Sequence, residues 1–207
     1  TLLLPEDHAK AFENPANERL LSSAGKIMVG AVLKIVDDDA NDVPNGTMGE
    51  ICFSTQDMPD SYWNLPEETA ETFKNGWFHT GDVGVLDEEG YVYITDRKKD
   101  VIVSGAENIS AREIEGVIHG LPAILECAVI GVPHVKWGEE VKAIIVLKQG
   151  MTITPDEVIE YCRDNMAGYK RPKTVEIWDE LPKNPTGKIL KKEIKEKFWG
   201  GEARRVG

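Results

Sequence analysis

Asp82 lies just before one short run of alternating apolar residues, 83–86, and Arg97 follows soon after a second, 91–94. The link between the runs is Asp87, Glu88, Glu89 and Gly90, a turn composition, so the period of two predicts a β-hairpin. An antiparallel ladder would carry the carboxylate and the guanidinium to the same end of the hairpin. Such a pair suits a nucleotide: the carboxylate accepts from ribose hydroxyls, and the guanidinium donates to ribose or phosphate oxygens. A purely structural Asp–Arg ion pair would show the same pattern. A third residue with chemical potential is Lys188, in the stretch Leu181-Pro182-Lys183-Asn184-Pro185-Thr186-Gly187-Lys188-Ile189. This loop has few apolar anchors, and Gly187 lets the backbone bend beside a ligand. Read alone, Lys188 is equally one more cation on a basic, solvated face, since Lys191, Lys192, Lys195 and Lys197 follow.

The elements that would position these residues can be read from pattern. Residues 1–24 are polar and irregular and predict loop with some helix. Strands are expected at 29–36 and 49–54, separated by a turn cluster at 37–44. Tyr62 and Trp63 are expected in the core, ahead of a short helix at 67–73 with Pro66 near its start. Ser110 with Glu113 forms a capping box and Ile109 with Ile114 a hydrophobic staple, so a helix begins at Ala111 and stops at Gly120 and Pro122. Strands follow at 126–132 and 141–147. Thr154, Pro155 and Glu157 repeat the capping signature, and Val158, Ile159, Cys162 and Met166 form an apolar stripe ending near Gly168. A third strand at 174–178 and a last helix carrying Leu190, Ile194 and Phe198 complete an α+β arrangement, its sheet connected largely without helical crossovers.

Composition bounds the function. The 207 residues, 41% of them hydrophobic, suffice for one large domain or two small ones. A formal charge of −12 disfavours a sequence-independent nucleic-acid binder, which needs clustered Lys and Arg. The three cysteines, Cys52, Cys127 and Cys162, are far apart and lack paired metal spacing, which predicts buried free thiols in a reducing compartment and no metal site. No run approaches the roughly 20 apolar residues that span a bilayer, and no secretory signal is visible, so a cytoplasmic protein is expected.

Several linked motifs carry a more specific likeness. Trp77-Phe78-His79-Thr80-Gly81-Asp82, then Gly90-Tyr91, then Asp96-Arg97-Lys98-Lys99-Asp100, then Ser104-Gly105-Ala106-Glu107-Asn108-Ile109, and finally the loop at Lys188, occur in this order. Their order and spacing resemble the adenylate-forming enzymes: acyl-CoA synthetases, nonribosomal adenylation domains and firefly luciferase. The resemblance implies that Asp82, Ile94 and Arg97 bind nucleotide, that Lys99 is the hinge between two domains, and that Lys188 is the cation that assists adenylation. It implies that Gly105, Ala106 and Glu107 border the path of coenzyme A, where Ala106 departs from the commoner Gly-Gly pair. Trp137 could stack on the adenine of coenzyme A, with buried packing as the default expectation.

The resemblance covers nearly the whole chain but only the back part of the family pattern. No Ser/Thr/Gly-rich phosphate loop, no Tyr-Gly-x-Thr-Glu segment and no Gly-x-x-x-x-Gly-Lys loop is present. The expectation is therefore a fragment: residues 1–97 as the last, β-rich subdomain of the large domain, and residues 98–207 as a compact α+β lid. Its parent would be an AMP-forming acyl-CoA synthetase using ATP, Mg2+, coenzyme A and a fatty or aryl acid, with the missing N-terminal part as its partner. An amino-acid adenylation domain loading a carrier protein, and a non-catalytic nucleotide or coenzyme A module, are the alternatives. The residues do not name the acid or the oligomeric state.

Overall fold

Proline opens the first helical segments. The structure, a computed structural model, describes residues 1–200 and divides into two units, Thr1–Lys99 and one starting at Asp100.

In the first unit, α1 (Pro5–Glu13) and a 3-10 helix (Pro15–Ser22) each start with proline and carry acidic residues in the first turn. Asp7 secures α1: its Oδ2 accepts from Leu4 N–H at 3.1 Å and its Oδ1 from the Tyr91 hydroxyl at 2.6 Å. Strands β1 (Ala31–Val36) and β2 (Gly49–Thr55) precede α2 (Pro66–Thr72), which ends at Thr72 because Phe73 already belongs to β3 (Phe73–Lys74). The long strand β4 (Trp77–Leu86) and β5 (Val92–Arg97) complete an antiparallel sheet ordered β1-β2-β4-β3, with β5 also on β4. Ile35, Ile51 and Val92 form its core with Leu33, Val43 and Leu86 against them. The expectation for Tyr62 and Trp63 fails: Tyr62 is 41% and Trp63 89% exposed. They sit on an irregular loop, where Asn64 has φ +54 and only Tyr62 reaches a ring, Phe73, edge-on at 5.4 Å.

In the second unit, β6 (Ile102–Ser104) and β7 (Glu107–Ile109) form a tight hairpin too short to register as a period in sequence. Then come α3 (Ala111–Ile118), the long hairpin β8 (Ile124–His134) and β9 (Gly138–Leu147), α4 (Pro155–Asn165), β10 (Thr174–Ile177) and α5 (Lys191–Trp199). The caps follow the sequence in part: Ser110 Oγ accepts from Glu113 N–H while the Glu113 carboxylate meets Lys170 at 2.7 Å instead of closing a box, and Thr154 and Glu157 form a reciprocal one. Contrary to expectation, α4 stops before Gly168, at Asn165, where Met166 turns extended. The sheet is buried on both faces, so β8 reads as a continuous apolar run. Cys127 and Val129 pack with α3 and α4, while Ala128, Ile130 and Val132 pack toward Ile194 of α5. One connection is a helical crossover: β10 pairs parallel with β9, and α4 supplies the crossover that parallel pairing requires.

All three cysteines are buried and free. Burial pushes the thiols of Cys52 and Cys162 up to about 11 and Cys127 further, so none is a ready nucleophile. Among the described residues, no helix is long and apolar enough to cross a membrane.

Candidate functional site

The β4–β5 hairpin pairs Asp82 directly with Arg97, and Arg97 Nε donates to Asp82 Oδ1 at 2.8 Å. Their side chains are 25% and 52% exposed, so the pair is open on one side. Exposed pairs of this kind stabilise a fold by only about 0–1 kcal/mol, which weakens a purely structural reading. Ile94 lies opposite Gly84 and is exposed. Residues 94 and 97 would face opposite sides of a regular strand; the register shift at Val83/Gly84 lets both be exposed.

Behind this pair is a cluster that sequence reasoning did not assign. Glu50 on β2 accepts from Gly81 N–H at 3.2 Å through Oε1, and from the Lys98 ammonium at 3.1 Å through Oε2. His79 Nδ1 lies 3.3 Å from both Glu50 Oε2 and Cys52 Sγ, and Lys98 also meets Asp38 at 3.1 Å. Burial works to raise the Glu50 carboxyl, but Lys98 and His79 outweigh it and hold the group below its ordinary value. Burial likewise opposes the Lys98 charge, and Glu50 and Asp38 overcome it and raise the ammonium. The charge run at 96–100 is thus partly internal, since Asp96 is buried and Lys98 is engaged. Glu50, Cys52 and His79 have ligand atoms within 4.8 Å of one another, yet Lys98 already occupies the carboxylate. A charged residue inside the strand expected at 49–54 was the available signal.

In the second unit, Lys188 sits on an exposed loop with a defined shape. Asn184 Oδ1 accepts from Thr186 N–H at 3.1 Å, from Thr186 Oγ1 at 2.8 Å and from Lys188 N–H at 2.8 Å. Asn184 N–H donates to Lys188 O at 2.9 Å, and Gly187 turns the chain at φ +84. Lys183 forms an ion pair with Glu126 at one end of the loop, and Leu181 anchors it in the core. The lysines that follow do not form one freely solvated basic face: Lys191 pairs with Glu115 at 2.7 Å, Lys195 with Asp100 at 3.7 Å, and Lys197 lies over the Trp178 ring. Among the described residues, Lys188 has no carboxylate within ion-pair distance.

Two turns meet at one end of the second sheet. Gly105 N–H donates to Trp137 O at 2.8 Å, and a Cβ on Gly105 would come within 3.2 Å of the Trp137 ring. Gly105 has φ +65, so glycine serves both the turn and the close approach. Ala106 and Glu107 are exposed beside it. Trp137 is 48% exposed, which overturns the expected burial; it sits in the β8–β9 turn, its N–H held by His134 Nδ1 at 3.1 Å and its ring under Lys136 at 4.4 Å. Lys99 is the last residue of the first unit.

Comparison with known proteins follows the same lines. Residues 113–188 match the AMP-binding enzyme C-terminal domain family. The chain is similar to a fatty acid–[acyl-carrier-protein] ligase of Streptomyces coeruleorubidus, 41% identical over 90% of this chain and 36% of that protein. It is 43% identical to a long-chain-fatty-acid–CoA ligase of Mycobacterium tuberculosis, over 96% of this chain and 37% of the relative. The crystal structure of ATP-bound MatB from Rhodopseudomonas palustris superposes with a TM-score of 0.77 at 36% identity, covering 86% of this chain and 36% of that one. The chain thus spans just over a third of the length of the curated relatives it matches.

Proposed function

This chain belongs to the AMP-binding, adenylate-forming enzymes, and on that premise we propose that it is the C-terminal part of an acid–thiol ligase that makes an acyl adenylate from a carboxylic acid and ATP and passes the acyl group to coenzyme A. The observation that carries the reading is Lys188: a cation with no carboxylate in ion-pair distance among the described residues, presented by a loop gathered around Asn184. When a carboxylate attacks the α-phosphorus and pyrophosphate leaves, negative charge spreads over the phosphate oxygens. An ammonium aimed at them lowers the barrier, and one such group is worth about 2–4 kcal/mol.

In this reading Asp82 accepts from the ribose hydroxyls, Arg97 turns its free donors to ribose or phosphate, and Ile94 provides an apolar contact beside them. Lys99 is the pivot, at the junction of two separately packed units. The Gly105–Ala106–Glu107 turn and Trp137 border the pantetheine and adenine of coenzyme A, the exposed indole supplying a stacking face. Magnesium would arrive with ATP; no ligands for it are assigned to these residues. Fatty acids are the favoured substrate class, in keeping with the names of the relatives, and a cytoplasmic location is inferred. Residues 1–97 are read as the end of the large domain and 98–207 as the lid.

A second reading concerns the thiol. One relative is named for an acyl carrier protein, and Ala106 adds a methyl group where close approach of pantetheine is wanted, so a carrier-bound thiol is the alternative acceptor. The test uses an enzyme containing this chain, given ATP, magnesium and fatty or aryl acids, and then preformed acyl adenylate with either coenzyme A or a phosphopantetheinylated carrier. Lys188→Ala should slow adenylate formation by about 10²–10³ and spare thioester formation from supplied adenylate; equal loss in both steps removes the role given to Lys188. The isolated chain should release neither AMP nor pyrophosphate, and turnover by it would overturn the account of what it lacks.

A further inference from the structure

Glu50 and His79 take part in a buried network that the proposed reaction leaves without a role. We propose that Glu50 is a positioning residue for the Asp82–Arg97 pair, an inference that rests on the reading of that pair as nucleotide-facing. On the β2–β4 ladder Glu50 pairs with Val83 and Cys52 with His79, so one residue of β2, Ile51, stands opposite the three residues Thr80, Gly81 and Asp82. A bulge of this kind takes its residues out of the ladder, and their backbone must be held by other means.

Side chains supply the hold. Thr80 Oγ1 donates to Ile51 O at 2.8 Å and accepts from Asp82 N–H at 3.0 Å. Glu50 does the larger share: Oε1 receives Gly81 N–H, immediately before Asp82, and Oε2 receives Lys98 Nζ, immediately after Arg97. Lys98 N–H also donates to Gly81 O at 2.8 Å, so the two flanking residues are tied to each other as well as to the carboxylate. Gly81 has φ +68, the conformation that turns its N–H out of the ladder toward Glu50. One buried carboxylate thus fastens the neighbours of both members of the pair, and fastens the chain up to the residue before Lys99. His79 Nδ1 also contacts Glu50 Oε2 at 3.3 Å, Asp38 holds Lys98 from its other side, and the raised Cys52 thiol remains a neutral contact. Lys98 on the carboxylate makes the cluster a brace rather than a cation site.

The experiment is NMR on the 15N-labelled 207-residue chain, following the Arg97 Nε–H signal and the amides of Gly81 and Asp82, alone and titrated with AMP. Glu50→Gln keeps the shape and removes the charge. It should speed exchange of the Arg97 Nε–H with water and weaken AMP binding by about tenfold, as expected when charge-assisted hydrogen bonds are lost. Lys98→Met, at a half-exposed side chain, should act alike if Glu50→Gln fails to fold, and Lys98→Arg should restore both readouts. In an Asp82→Ala background Glu50→Gln should have no further effect on AMP affinity, which a general loss of stability would not produce. Unchanged Arg97 exchange in both Glu50→Gln and Lys98→Met overturns the proposal. If the parent chain shows no saturable AMP response while Glu50→Gln still frees Arg97, the nucleotide reading falls and the positioning role stands.

Discussion

Asp82 and Arg97 meet because two strands are zipped in register, whereas Lys188 takes its orientation because one asparagine side chain gathers the loop around it. The first arrangement is backed by a ladder and by Glu50, so displacing it means breaking many bonds at once. The second depends on a few local bonds in an exposed segment and is cheap to disturb. A residue that binds a ground-state group is well served by a platform. In the proposed reading, a cation that acts on charge developing in a transition state needs a well-placed anchor, and the Asn184 turn holds the Lys188 backbone without burying the ammonium.

The sharpest way to break this contrast is Lys188→Ala, expected to slow adenylation by about 10²–10³ with no change in melting temperature, as single charge stabilisers of this kind do. A comparable loss of stability would mean that the lysine belongs to the scaffold. Lys99→Pro, at the end of the platform, should impair one half-reaction by about tenfold or more and leave the other near normal, since a stiffened hinge admits one arrangement better than the other. Normal rates in both steps would remove the pivot. Arg97→Ala should raise the KM for ATP by about tenfold while costing less than about 1 kcal/mol of stability, because the pair is exposed. Asn184→Ala should lower kcat for adenylation severalfold, by about 1 kcal/mol for lost loop order, and leave the KM for ATP unchanged. A rise in KM instead would place the loop in ground-state binding.

The smallest effect concerns the platform's edge. The Tyr91 hydroxyl bound to Asp7 holds that carboxyl below its ordinary value of 3.8, so this contribution is present above about pH 4 and lost as pH falls through the lowered value. The same bond raises the Tyr91 hydroxyl from 10 to about 12, so its contribution is present below pH 10 and lost as pH rises toward 12. Amide exchange over α1 should accelerate at both extremes; Tyr91→Phe should abolish the alkaline dependence and weaken the acid one, which Leu4 N–H and Lys10 still support. Persistence of the alkaline dependence in that variant would assign it to another group.

Much of the frame was legible because its causes are local. Thr154 and Glu157 cap α4 through bonds that span three residues, and the turn at Gly90 sets up the hairpin that joins Asp82 to Arg97. The apolar run from Cys127 to Val132 announced a strand. The misreadings were of burial. Trp63 and Trp137 looked like core residues by type, but each lies on a turn whose backbone faces outward, and composition carries no information about that.

The sequence by itself therefore determined the helix caps, the hairpin and the pairing of a carboxylate with a guanidinium, since each follows from residues close along the chain or from the period of a strand. The tertiary structure decided the rest. Glu50 comes to Lys98 through a bulge between strands, β10 joins β9 in parallel through α4, and Lys191 and Lys195 are engaged by carboxylates distant in sequence while Lys188 is left exposed. These outcomes depend on contacts that form only once separate elements are packed, and neither periodicity nor propensity encodes them.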